Sequence, residues 1–200
     1  MKYQVTTKAT VEPITLDEAR KHLRVEPFGY PLVHPDDDYI QVAITSAREW
    51  CENYLQKALA TQTVTVKLSE FADKIELPLS PVQSVTSVTY LDRSNVLQTL
   101  STSIYYVDYF DNAIYLEPGQ YYPPVSFREN SITIQYVSGY TGTTGVNVLP
   151  SPIKSAMFLL IGSAYENRQE DYASSTKVTF NSLPMGVYNL LQSYRLNLGV

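Results

Sequence analysis

The side chains with the most capacity for chemistry in this sequence are two histidines, one cysteine and a run of three aspartates. His34 stands just ahead of Asp36, Asp37 and Asp38, a grouping that suits a hard cation bound through oxygen. The oxygen-ligand ladder of a calcium loop is absent, however. The same residues suit the positive end of a helix, with Asp36 as N-cap and acids in the first turn. Neither His34 nor His22 lies at metal-ligand spacing from Cys or from the other His. His22, beside Arg20 and Lys21, reads as a surface residue. Cys51 falls on an apolar helical stripe, where a structural thiol is expected rather than a nucleophile.

Other catalytic patterns are missing. There is no G-x-S-x-G elbow, Walker loop or Rossmann glycine pattern. The glycines of SGYTGTTG lead into Val, Asn, Val, Leu and Pro before any helix begins, so their amides are not poised to cradle a phosphate. Glu166 and Glu170, one turn apart beside Arg168, read as a charge cluster at a helix end. Tyr105, Tyr106, Tyr109 and Tyr115 suggest two uses, a sugar-stacking surface or the half-exposed face of a sheet, and the second is the commoner. These observations point away from an enzyme, and no cofactor or metal is expected.

Composition agrees. The chain has 200 residues, 44% hydrophobic and 18% charged, with 17 Tyr against 6 Phe and one Trp. A chain of this size buries roughly 70% of its extended surface on folding, enough for its own core. The net charge of -5 opposes non-specific attraction to nucleic-acid phosphates. The single Cys excludes an intrachain disulfide and fits a reducing compartment. MKYQVTTKAT lacks the apolar run of an export signal.

The elements that would position these residues follow the order helix, helix, β-rich block, helix, helix. Thr15 and Glu18 form a T-x-x-E capping box that starts a helix over Thr15 to Arg24. Pro27, Pro31 and Pro35 then forbid helix. A second helix runs from Asp37 to Ala58, with Ile40, Ala43, Ile44, Ala47, Trp50, Cys51, Tyr54, Leu55 and Ala58 at helical spacing over roughly 30 Å. From Thr61 the period shortens to two: TVTVKLS, KIELPL, VTSVTYLD, VLQTL, IYYVDYF, AIYLEP and SITIQYV read as strands. A hairpin turn is expected at Asp92 to Asn95, and Gly139, Gly142 and Gly145 form a linker back to helix. Ser151 with Pro152, and Ser182 with Pro184, signal two more helix starts. The helix from Ile153 to Tyr165 is apolar on nearly every side, so it must be buried in a core or against other subunits. It is too short to cross a bilayer. The fold expected is α+β: a helical bundle of N-terminal and C-terminal helix pairs with an inserted antiparallel β-rich domain. Its parts are residues 1–60, 61–148 and 149–200.

In order along the chain come EPITLDEARKHLRV, DDDYIQVAITSAREWCENYLQKAL, LPLSPVQSVTSVTYLD, YVSGYTG, LPSPIKSAMFLLIGSAYENRQ and LPMGVYNLLQSYR. Together they resemble the head-tail connector (adaptor) proteins of tailed bacteriophages and related gene transfer agents, in the longer branch where a β domain separates the helices. The resemblance implies a ring of identical subunits, typically dodecameric, in the virion neck after synthesis in the host cytoplasm. Such a ring docks beneath the portal protein, extends the DNA channel, and offers a platform to a stopper or tail-completion protein. It also implies portal binding through the C-terminal end, here Tyr194, Arg195, Leu196, Asn197, Leu198, Gly199 and Val200. This chain stops soon after its last helix, which argues against a long tail reaching into the portal. A closed ring needs heterologous interfaces, and Ile153, Met157, Leu160, Tyr165 and Arg168 are the expected subunit contacts. DNA would pass without sequence-specific binding. The alternative is a Tyr-rich β-domain module binding carbohydrate or a receptor.

Overall fold

Capping chemistry opens the first helix as the sequence predicts. In the computed structural model, which describes residues 1–26, 28, 33–140, 148–167 and 185–195, Thr15 Oγ1 accepts from the Glu18 amide at 3.2 Å. Glu18 Oε2 accepts in return from the Thr15 amide at 3.0 Å. In chain order the elements are β1 (Lys2–Thr7), α1 (Leu16–Leu23), α2 (Asp37–Leu55), β2 (Gln62–Leu68), β3 (Lys74–Glu76), β4 (Val82–Leu91) and β5 (Leu97–Thr99). These are followed by β6 (Tyr105–Asp108), β7 (Ala113–Leu116), β8 (Ile132–Ser138), α3 (Ser151–Glu166), α4 (Met185–Leu191) and a 3-10 turn (Gln192–Tyr194). The fold is α+β, as expected.

Some element ends differ from the sequence reading. α2 stops at Leu55 rather than Ala58, because Gln56 takes a left-handed conformation with φ 56° and closes the helix. Asp36 occupies the N-cap position without capping; its carboxylate accepts from the Tyr165 hydroxyl at 2.7 Å instead. Ser151 is already helical, and Pro150 stands at the cap. The signal at Ser182 and Pro184 lies outside the described residues.

The chain forms two compact units, Met1–Thr10 with Ala60–Thr141, and Val11–Leu59 with Gly142–Val200. The first ten residues therefore belong to the sheet unit, whereas residues 1–60 were expected to be wholly helical-bundle sequence. β1 is the cause: it pairs antiparallel with β2 from Lys2 opposite Lys67 to Val5 opposite Val64. Its side chains are nearly all exposed, so KYQVTT carries no strong apolar alternation to announce it.

The sheet unit holds a five-stranded antiparallel sheet, order β1-β2-β8-β4-β5, and a three-stranded one, order β3-β7-β6. Val64, Val66, Val88, Ile132, Ile134 and Tyr136 share one core with Ile75, Tyr105 and Ile114 of the smaller sheet. β2 and β8 pair in full register from Gln62 opposite Ser138 to Leu68 opposite Ile132. The chain thus leaves this unit beside where it entered. Gly139 follows β8 with φ 117°, and a Cβ there would lie 2.2 Å from the carbonyl oxygen of Ala60.

In the helical unit α3 packs on α1, α2 and α4. Ile153, Met157, Leu160 and Ile161 meet a core that includes Ile14, Ile40, Ile44, Leu55, Val187 and Leu191, all fully buried. Two arginines are buried with it. Arg48 donates to Glu12 Oε2 at 2.8 Å and Glu52 Oε2 at 2.7 Å. Arg20 binds Asp37 through two nitrogens, the Nε bond being 2.8 Å, and reaches Asp17 at 3.0 Å. Lys154 on α3 donates to Glu18 on α1 at 2.6 Å.

Three outcomes are expected. Gly139→Ala combines a forbidden φ with a clash against backbone, so chemical denaturation should show a loss of about 2 kcal/mol or more. Arg48→Ala strands Glu12 and Glu52 in a largely buried site and should cost about 3 kcal/mol. The third concerns acid. The Arg20 guanidinium holds the Asp37 carboxyl below its ordinary 3.8, and Lys154 holds Glu18 below its ordinary 4.5. Their contribution is complete above about pH 4.5 and is lost as the pH falls through the lowered folded values. Acid titration of the double variant Asp37→Asn, Glu18→Gln should therefore show a shallower loss of stability below pH 4 than the parent chain.

Candidate functional site

The residues singled out for chemistry are mostly committed to structure. The His34 amide donates to Asp37 Oδ2 at 2.7 Å, and His34 Nδ1 accepts from the Asp36 amide at 3.1 Å. With Asp37 held by Arg20 and Asp36 by Tyr165, these carboxylates serve separate contacts. Among the described residues, no three His, Cys, Asp or Glu side chains gather as metal ligands. Cys51 is fully buried, and burial pushes its thiol up to about 12, far from nucleophilic. His22 is exposed and stacks on Phe158 of α3, centroids 4.9 Å apart. Glu166 is exposed at the end of α3; Arg168 and Glu170 lie outside the described residues.

The four tyrosines flagged for stacking do not share one face. Tyr105 points into the core, and Tyr109 sits in the turn after β6. Tyr106 and Tyr115 are cross-strand partners whose rings stack on each other, centroids 5.5 Å apart at 15°. Lys74 lies over Tyr115 and pairs with Asp111 at 2.8 Å, and the Tyr115 hydroxyl donates to Asp111. That arrangement is a cross-strand ladder with its polar groups satisfied. The turn that follows β6 is held by Asp108, whose Oδ1 accepts from the Phe110 and Asp111 amides at 2.8 and 3.1 Å. It nevertheless presents Phe110 98% exposed.

The expected subunit contacts divide. Ile153, Met157 and Leu160 are fully buried inside the helical unit, so they have no surface to offer a neighbour. Apolar spacing alone does not separate the two faces of a helix on which Leu160 is buried and its neighbour Leu159 is exposed. Tyr165 is half-buried and tied to Asp36. Arg168 lies outside the described residues. The surface that α3 does expose includes Ser155, Leu159 and Glu166. A shallow groove of about 350 Å³ opens there between His22, Leu159, Gly162, Ser163, Glu166 and Asn167.

Of the C-terminal candidates, Tyr194 ends the 3-10 turn and Arg195 follows it; residues 196–200 lie outside the described residues. Arg195 places its guanidinium carbon 5.2 Å from the centre of the Tyr54 ring. Tyr54 stacks on Trp50 at 5.3 Å and 10°, and Tyr188 meets both rings edge-on at 5.5 and 6.0 Å. The sequence reading placed Trp50 and Tyr54 on the core stripe of α2 and did not single out Tyr188. The available signal was the pairing of large aromatics one turn apart at the rim of that stripe, where a ring can be half wet.

Comparison with known proteins bears on this architecture directly. A chain in the neck of an empty gene transfer agent particle, computed with C6 symmetry, superposes with a TM-score of 0.74 at 22% identity. A chain from the virion of a native gene transfer agent particle gives 0.72, and one from the neck of the native particle computed with C12 symmetry gives 0.68, both at 22% identity. Each superposition covers 98% of this chain and 95% of the other. No curated protein sequence matches. The family model described as phage gp6-like head-tail connector protein matches residues 13–112, half of the chain. That span takes in the capping box, α2 with its buried arginine, and strands β2 to β6. The chain belongs to the phage gp6-like head-tail connector family.

Proposed function

We propose that this chain is the adaptor subunit of a virion neck. It forms a ring beneath the portal, extends the DNA channel, and carries the stopper or tail-completion protein that follows. The observation that carries the reading is the superposition over 98% of the chain onto chains of particle necks, joined to the family match. Those necks were computed with C6 and C12 symmetry, which supports a dodecameric ring here. Ring closure requires one patch of a subunit to meet a different patch of the next. We assign one of these to the outer face of α3, where Leu159 is 37% exposed and the groove beside His22 and Gly162 lets a neighbour approach closely. This replaces Ile153, Met157 and Leu160 in that role.

The net charge of -5 suits a channel through which DNA moves, since a basic lumen would hold the duplex through many phosphate contacts. Among the described residues no helix is long and apolar enough to cross a membrane. The C-terminal segment, Tyr194 to Val200, is assigned to the portal. It begins at the last residue of the 3-10 turn that follows α4, and α4 is fixed to the core by Val187 and Leu191.

Two measurements test the reading. The full chain should leave duplex DNA unretarded at physiological salt, and measurable affinity there would count against passive transit. Deletion of residues 196–200 should leave the melting temperature of the protein unchanged and impair its attachment to portal-bearing heads; normal attachment would refute the portal assignment of the tail.

A further inference from the structure

The sheet unit exposes large apolar side chains at the two ends of β4. That strand runs ten residues from Val82 to Leu91, roughly 30 Å at the usual rise. At its start the Val82 amide donates to Asn112 Oδ1 at 2.8 Å, and Asn112 ends the β6–β7 turn. That turn carries Tyr109 and Phe110, both exposed, the phenylalanine to 98%. At the far end the Leu91 carbonyl accepts from the Ser126 amide at 2.8 Å, which sets Phe127 and Arg128 beside the β4–β5 turn. Phe127 is 94% exposed, and Val96 and Leu97 are exposed with it. The Arg93 guanidinium carbon lies 5.8 Å from the centre of the Phe127 ring.

Neither turn is loose. Asp108 Oδ1 holds the amides of Phe110 and Asp111. Asp92 Oδ1 holds those of Ser94 and Val96, and its Oδ2 accepts from Gln98 at 3.1 Å. The Ser126 hydroxyl reaches Asn95 Oδ1 at 2.8 Å. A ring carried on such a turn has its backbone ordered before any partner arrives, so contact loses little entropy. The charges at the two turns are opposite. Beside Phe110 stand Asp108, Asp111 and Glu76, the last two sharing Lys74. Beside Phe127 stand Arg93 and Arg128, with Glu129 next in sequence and Asp92 committed inside its turn. Among the described residues neither of these arginines forms an ion pair.

We propose that the Tyr109–Phe110 turn of one copy packs on the Phe127, Val96 and Leu97 patch of the next, with Asp108 facing Arg93 and Arg128. The inference rests on the ring reading above and gives the sheet unit a part in it. A second copy is the occupant because one chain carries both halves of the fit, apolar to apolar and acid to base. The halves stand at opposite ends of the same strand. Two different patches so placed meet head to tail, which is the heterologous contact that a ring repeats. The contact is small, and its exposed ion pairs contribute little. It therefore adds to the outer face of α3 between subunits already side by side and does not gather them by itself.

Two cysteine variants of the full chain test the fit, the native Cys51 being fully buried. One carries Tyr109→Cys and the other Ser94→Cys, both at exposed turn positions. They are seated on isolated portal rings, together or singly, and treated with a short bismaleimide. The mixture should cross-link between subunits, and either variant alone should not. Adding Phe110→Ala to the first variant should lower the yield about fivefold or more, with its melting temperature unchanged. Should that chain melt lower, the linking of the two cysteine variants decides. Subunits that sit together on the portal without linking in the mixture overturn the turn-to-turn contact and leave the adaptor reading standing. Links between two copies of one variant, or from either turn to the portal, likewise overturn it. Failure to seat on the portal at all removes the adaptor reading and this inference with it.

Discussion

Everything in this fold depends on the sheet unit returning the chain to the place where it left. The helical unit is built from two stretches of sequence, and its halves meet only if the eighty-odd residues between them do not hold them apart. The pairing of Gln62 with Ser138 at the joined ends of β2 and β8 achieves this. So does the approach of Gly139 to Ala60, so close that no side chain fits between them. Each doubling of a flexible loop adds about 0.6 kcal/mol to the cost of closure. A folded insert with adjacent ends removes most of that cost. The glycine is required twice over there, by its left-handed backbone and by the neighbouring carbonyl.

With the ends brought together, contacts distant in sequence close the helical unit. Tyr39 donates to the Ala164 carbonyl at 2.6 Å, Tyr165 to Asp36, and Lys154 to Glu18. Each joins the first helix pair to α3. Such contacts contribute little individually where they are partly exposed, but they have direction, which apolar packing lacks. α3 is apolar nearly all round, so hydrophobic burial alone would tolerate several rotations of it. Tyr165 and Lys154, eleven residues apart, select one. Arg48 does the same for the segment before α1: with Glu12 on one side and Glu52 on the other, and Thr45 donating to Glu12 at 2.9 Å, it ties Val11–Ile14 to α2.

These same features explain what could be read in the chain and what could not. Periodicity revealed α1, α2 and strands such as β2 and β8, because each has a face that meets a core and a face that does not. α3 was revealed by its length of apolar sequence, and β5, exposed throughout, by the turn before it. β1 lacks that asymmetry and was missed; it is held by backbone pairing along β2, which leaves no apolar pattern. The capping box was legible because it is local. The buried arginines were not, since Arg20 and Arg48 look like surface residues until Asp37 and Glu12 are seen to fold onto them. Three of the expected subunit contacts lie inside the helical unit for a related reason. Ile153, Met157 and Leu160 carry the strongest apolar signal on α3, and the strongest signal goes to the core. A surface that binds only after folding has to be weaker, and the one we propose consists of Leu159 among Ser155, Gly162 and Ser163.

That weakness has a consequence in the proposed ring. A lateral patch with one half-exposed leucine and small neighbours offers close approach but modest burial, so isolated subunits gain little by associating. The half-exposed rings of Trp50, Tyr54 and Tyr188 form the richer surface. Once several subunits are seated on a symmetric portal, each neighbour is present at the high effective concentration that tethering creates, and a modest lateral contact then suffices to close the ring. A weak lateral contact therefore makes assembly of the proposed ring conditional on a template. It also reconciles an α3 spent mainly on its own core with the ring proposed for this subunit.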